Sequence, residues 1–88
     1  MFHVEWLQSA LDELADFWTK ADSNQRLAIT KASNFLEQEL RLDGPNQGES
    51  RPFDCRIVFV PPLAATFRLE PDGNTISILH VRAFWRRK

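Results

Sequence analysis

The chain has 88 residues, with 11 Lys plus Arg, 12 Asp plus Glu, two His, one Cys, five Pro and three Gly, and a formal net charge of −1 at pH 7. A chain of this length buries only about two-thirds of its unfolded surface, which leaves room for one closed core and disfavours a deep pocket for a large cofactor. The lone Cys55 excludes an internal disulfide and no Cys/His set has zinc-ligand spacing, so the expectation is one domain over residues 1–88, in a reducing, cytoplasmic compartment, with no cofactor and no metal. The start, Met1-Phe2-His3-Val4-Glu5-Trp6, has no basic segment, and the longest apolar stretch, Val58 to Ala65, is too short to cross a bilayer; neither a signal peptide nor a membrane span is expected.

Phe2, Val4 and Trp6 alternate with His3 and Glu5, which predicts a short strand at the N-terminus. Ser9-Ala10-Leu11-Asp12 fits a capping box, and Leu7, Leu11, Leu14, Trp18 and Ala21 recur at helical spacing, so a first helix is predicted over about 9–21. Asp22-Ser23-Asn24-Gln25 supplies a break and a fresh N-cap. Ala28, Ile29, Ala32, Phe35, Leu36 and Leu40 then form the stripe of a second helix over about 24–42. The short connection makes the two an αα-hairpin of antiparallel neighbours. Trp6, Trp18 and Phe35 read as core.

Residues 43–52, with Gly44, Pro45, Gly48 and Pro52, read as a surface loop. Beyond it, Cys55/Ile57/Phe59, Ala65/Phe67/Leu69 and Leu79/Val81/Ala83 alternate with more polar neighbours, predicting three antiparallel strands. Pro61-Pro62 marks the first turn and Pro71-Asp72-Gly73-Asn74 the second. The order of strand, helix pair and three-stranded antiparallel meander defines an α+β fold with the helices packed on one face of the sheet.

The charge is divided along the chain. Residues 1–50 carry four basic against nine acidic residues, and residues 51–88 seven basic against three acidic. If the alternating apolar sets lie under the helices, then His3, Glu5, Arg56, Arg68, His80 and Arg82 share the opposite face, together with Val58, Ile76, Ile78 and Phe84. Arginine is a bidentate phosphate donor and His titrates near neutral pH, so this face suits a phosphate backbone. The same pattern also describes an ordinary solvated sheet face. Trp85-Arg86-Arg87-Lys88 adds an aromatic beside cations, the combination that stacks a base and pairs a phosphate. Glu5 and His80 read as a cross-strand ion pair, and Cys55 as a core thiol.

Several strings carry a resemblance: Val4-Glu5-Trp6 leading to Ala10-Leu11-Asp12-Glu13-Leu14, Gly48-Glu49-Ser50-Arg51, Arg56-Ile57-Val58-Phe59-Val60-Pro61-Pro62-Leu63, Phe67-Arg68-Leu69, and Val81-Arg82-Ala83-Phe84-Trp85-Arg86-Arg87. In these and in its order of elements, nearly the whole chain resembles the RelE/ParE family of type II toxin–antitoxin toxins, also called plasmid stabilisation proteins. The resemblance implies a single toxin domain with a cognate antitoxin as partner. Members that resemble RelE are mRNA interferases that cut messenger RNA on the ribosome, and members like ParE poison DNA gyrase.

Carried over residue by residue, the resemblance places Arg56, Arg82 and Arg86 at the family's basic positions; the chemistry of a metal-independent endoribonuclease then takes Arg56 and Arg82 as catalytic cations and His80 as the group that moves the proton. Arg68, Trp85 and Arg86 would bind the RNA substrate. The sequence departs from the ribonuclease pattern: it has no Tyr, no Lys in its sheet, and Ala64 or Ala65 where those members tend to place an Arg. The alternative is a non-enzymatic, gyrase-inhibiting or degenerate toxin-fold protein whose main contact is its antitoxin, a strand or helix laid on the toxin. A third reading gives Val58, Ile78 and Phe84 to a homodimer interface.

Overall fold

The computed structural model describes residues 1–85. In chain order, β1 (His3–Trp6) leads into α1 (Gln8–Lys20) and α2 (Ser23–Asp43). A 3₁₀ turn (Gly44–Asn46) then leads to β2 (Glu49–Arg51), β3 (Cys55–Val60), β4 (Leu63–Leu69) and β5 (Thr75–Ala83). Among the described residues the strands form one sheet in the order β1-β5-β4-β3-β2. The meander β3-β4-β5 is antiparallel as predicted, and β1 joins it parallel to the first half of β5. The loop expected over 43–52 instead contains the 3₁₀ turn and β2, an edge strand exposed along its whole length. No helix of the described residues is long and apolar enough to cross a membrane.

Both helices contribute to a core on one face of the sheet. Ala10, Ala32, Leu36 and Leu40 meet Leu63, Ala65, Phe67, Ile76, Ile78 and Val81, all buried, and each of the large side chains among them contributes about 1.5–3 kcal/mol relative to exposure. α2 begins with the expected N-cap: the Asp22 carboxylate accepts the Gln25 N–H at 2.8 Å, and Gln25 Oε1 accepts the Asp22 N–H at 2.9 Å. α1 differs from expectation. Its N-cap is Leu7, without a side-chain bond, while the Ser9 hydroxyl donates to the Leu79 carbonyl at 2.7 Å. The core stripe of α1 is Ala10, Leu14 and Phe17, so Trp18 lies outside it at 41% exposure, and Phe35 on α2 is 53% exposed. Trp6 packs at the core margin and donates its indole N–H to Glu37 at 3.0 Å.

β3, and β5 up to Leu79, present the opposite phase to the one predicted, while Val81 and Ala83 face the core as expected. In β3 the helix-facing set is Arg56, Val58 and Val60, opposite Phe67, Ala65 and Leu63; Cys55, Ile57 and Phe59 turn to the uncovered face. In β5, Ile78 lies opposite Phe67 and His80 opposite Thr66, so Leu79 is an extra residue and the strand bulges there. The bulge reverses the alternation. Ile76 and Ile78 before it, and Val81 after it, all reach the core. Val58 and Ile78 are therefore core residues and not part of a dimer surface, whereas Phe84 is exposed.

Beyond the bulge β1 no longer covers the edge of β5. α1 does so instead, with the Ser9 hydroxyl on the Leu79 carbonyl and the Glu13 carboxylate on the Val81 N–H at 3.1 Å. Side chains one helical turn apart thus blunt an edge that would otherwise pair with another strand.

Candidate functional site

The register sets out the uncovered face row by row. One row reads Arg51, Cys55, Arg68, Ser77 and Glu5 across β2-β3-β4-β5-β1; the next reads Glu49, Ile57, Thr66 and His80; the third reads Phe59, Ala64 and Arg82. Cys55 is thus half-buried between two arginines on this face, and not in the core.

The sequence-predicted site residues are dispersed. Arg56 has helix-side parity, and its guanidinium is spent on the segment before β2. It donates to the Gln47 carbonyl at 2.7 Å, the Gly48 carbonyl at 2.9 Å and the Ser50 hydroxyl at 3.0 Å. Arg68 is on the uncovered face, paired to Glu70 at 3.0 Å. The Ser77 hydroxyl, and after it Arg68, hold the Glu70 carboxyl below its ordinary pKa. His80 sits at the bulge, its Nδ1 3.2 Å from Glu13 on α1, so its carboxylate contact is with Glu13 and not with Glu5 as expected. Trp85 has the parity of Ala83 and lies against the end of α1 beside Phe17 and Ala21, on the other side of the sheet from Arg82. Arg86 lies outside the described residues. Arg68 and Arg82 therefore share a face with His80 at its margin, while Arg56 and Trp85 do not.

The basic face expected from the sequence is close to charge balance. Glu49 pairs with Arg51 at 3.2 Å, Glu70 pairs with Arg68, and Glu5 adds a further carboxylate. Among the described residues Arg82 has no acidic partner within 4.0 Å.

Beside Arg82 lies an apolar feature that sequence reasoning missed. Phe59 and Phe84, 57% and 55% exposed, hold their rings 6.5 Å apart at 48°. With Pro61, Pro62 and Leu63 they enclose an open recess of about 190 Å³. The Pro61–Pro62 peptide at this turn is cis, and the Phe84 N–H donates to the Pro62 carbonyl at 2.6 Å. The sequence signals only half of this recess, as Phe59 next to a diproline; Phe84 reaches it through the pairing of Leu63 with Ala83.

A helical hairpin on one face of a small sheet, with a parallel N-terminal strand added to an antiparallel meander, is a fold shared with solved toxin–antitoxin structures. The chain superposes on a chain of the chromosomal ParDE TA system from Pseudomonas aeruginosa with a TM-score of 0.77 at 17% identity, covering 97% of this chain and 98% of that one. On a chain of the RelBE2 toxin–antitoxin complex from Mycobacterium tuberculosis the TM-score is 0.68 at 14% identity, covering 93% and 90%. On the YoeB/ParE toxin from Agrobacterium tumefaciens it is 0.61 at 13% identity, covering 96% and 100%. No family model matches the sequence, and no curated protein is significantly similar to it. The fold is that of the RelE/ParE toxins, as the resemblance of the sequence implied.

Proposed function

We propose that this protein is the toxin component of a cytoplasmic type II toxin–antitoxin pair, and that it acts in the ParE-like manner, by binding a protein, without cutting RNA. The observation that carries this reading is the pairing of the arginines. Cleavage of a phosphodiester needs several cations free to meet the developing charge and a group free to move a proton. Here Arg56, Arg68 and Arg51 are each engaged by groups of the chain itself, and His80 is held at the margin beside Glu13. A charge-balanced face also forgoes the phosphate neutralisation that supplies most affinity for RNA. The fold offers a protein partner an apolar recess and the exposed edge strand β2.

Induced expression in a bacterial host, with growth, messenger RNA 5′ ends and DNA integrity followed in one culture, tests the reading. Growth arrest with intact messages, relieved by co-expression of a cognate antitoxin, is expected; DNA damage alongside it would identify gyrase as the target. Codon-phased cleavage abolished by Arg82→Ala or His80→Ala would overturn it in favour of a ribosome-dependent ribonuclease.

A further inference from the structure

We propose that the notch formed by Phe59, Ala64, Arg82 and Phe84 is a docking site for an extended, acidic segment of a partner protein. One large apolar side chain of that segment enters the recess between the two phenylalanine rings and the diproline turn, and a side-chain carboxylate two residues away meets the Arg82 guanidinium.

The register places Phe59 and Arg82 on either side of Ala64, about 10 Å apart between outer strands. Ala64 is the floor: it lies on the uncovered face yet is only 3% exposed between its larger neighbours. The recess, about 190 Å³, is close to the roughly 150 Å³ cavity that admits a benzene ring, so it takes one aromatic or branched side chain and no more. Arg82 and Phe84, a wall of the recess, are alternate residues of this chain, and alternate side chains of an extended chain share a face about 7 Å apart, so a partner running alongside them meets both with side chains two residues apart.

Charge complementarity selects the occupant. Arg51 and Arg68 already have carboxylates, so among the described residues of this face Arg82 offers one unpaired guanidinium beside an apolar recess. One carboxylate next to one apolar group matches that pair. A nucleic acid strand would bring a phosphate at every residue to a face that also displays Glu5, Glu49 and Glu70.

The site deepens the reading of the chain as a protein-binding toxin, and its test is independent of toxicity. The full-length chain, labelled with nitrogen-15, is titrated with the probe peptide acetyl-Gly-Phe-Ser-Asp-Gly-amide, with its Asn counterpart, and with an oligouridylate. The acidic probe is expected to shift the amides of Leu63, Ala64, Arg82 and Phe84 saturably at millimolar concentration, and the Asn probe to bind about fivefold more weakly. Arg82→Gln should bring the two probes level, and Phe59→Ser should weaken both about tenfold. Arg82 is exposed and unpaired, so Arg82→Gln keeps the test decisive even if Phe59→Ser unfolds the chain. Equal binding of the two peptides, shifts centred elsewhere, no saturable shift, or tighter binding of the oligonucleotide at these residues would each overturn the proposal. A chain that arrests growth but ignores the probe removes this site alone, whereas one that binds the probe without arresting growth removes the toxin reading alone.

Discussion

The carboxylate of Glu13 accepts the backbone N–H of Val81 at 3.1 Å, and the same oxygen lies 3.2 Å from Nδ1 of His80. One side chain of α1 thus satisfies a strand edge just past the bulge and anchors the imidazole. Val81 is fully buried, so removing the acceptor leaves its N–H without its partner. Glu13→Ala should destabilise the fold by about 1–3 kcal/mol, and Glu13→Gln, which keeps an oxygen acceptor, by well under half as much. Urea unfolding midpoints of the two variants check this; equal losses would mean that the carboxylate's contact with His80, and not the backbone bond, carries the contribution.

The same bulge makes β5 illegible to strict alternation, and other local causes decide the remaining elements. Helices were legible because their stripe and N-cap are local: Asp22 and Gln25 cap α2 where the sequence placed the break. β3 was misphased because Cys-Arg-Ile-Val-Phe-Val is apolar at both parities, and Arg56 biased its own set outward. The helix-side position of Arg56 is tolerated because it lies near the strand's end, where a long side chain reaches the carbonyls of Gln47 and Gly48. β5 cannot be phased by strict alternation once Leu79 is extra, and β2 has no apolar side to betray it. The candidate site inherited these errors, since a face is only as legible as the phase of the strands that build it.

Arg56 should therefore behave as a structural residue. Its three hydrogen bonds fix residues 47–50, and Arg56→Ala should cost about 1–3 kcal/mol and speed amide exchange there. Arg56→Lys should recover little of this, because an ammonium cannot reproduce a planar fork directed at three acceptors. A full loss of RNA cleavage at unchanged stability would instead assign Arg56 to a substrate.

Two glycines with similar backbones separate conformational strain from steric conflict. Gly48 and Gly73 have φ of +72° and +74°, and a Cβ at Gly73 meets nothing within 4 Å, whereas at Gly48 it would fall 2.1 Å from the Ile57 carbonyl oxygen. Gly73→Ala should cost about 1–2 kcal/mol, the left-handed penalty alone. Gly48→Ala should cost clearly more, because β2 must move off β3 to admit the methyl group. Thermal unfolding of both variants checks the order, and equal losses would place β2 too loosely against β3 for the contact to matter.

The turn between β4 and β5 gives stability a defined dependence on acid. The Asn74 N–H, followed by the Thr75 hydroxyl and N–H, bonds the Asp72 carboxylate at 2.8–2.9 Å and lowers its pKa. Glu70 is lowered too, by the Ser77 hydroxyl and then by Arg68. A carboxyl with a folded pKa below its unfolded one stabilises the fold fully above the ordinary carboxylate value of about 4, and that contribution is lost as pH falls through the depressed folded value. Stability should accordingly decline below about pH 4.5, with the amides of Asn74 and Thr75 losing protection first. Asp72→Asn keeps one acceptor oxygen but not the charge, so it should start from a lower plateau at neutral pH and show a shallower acid limb. An acid limb identical to that of the unsubstituted chain would mean that Glu70 and its partners, and not the turn, set the dependence.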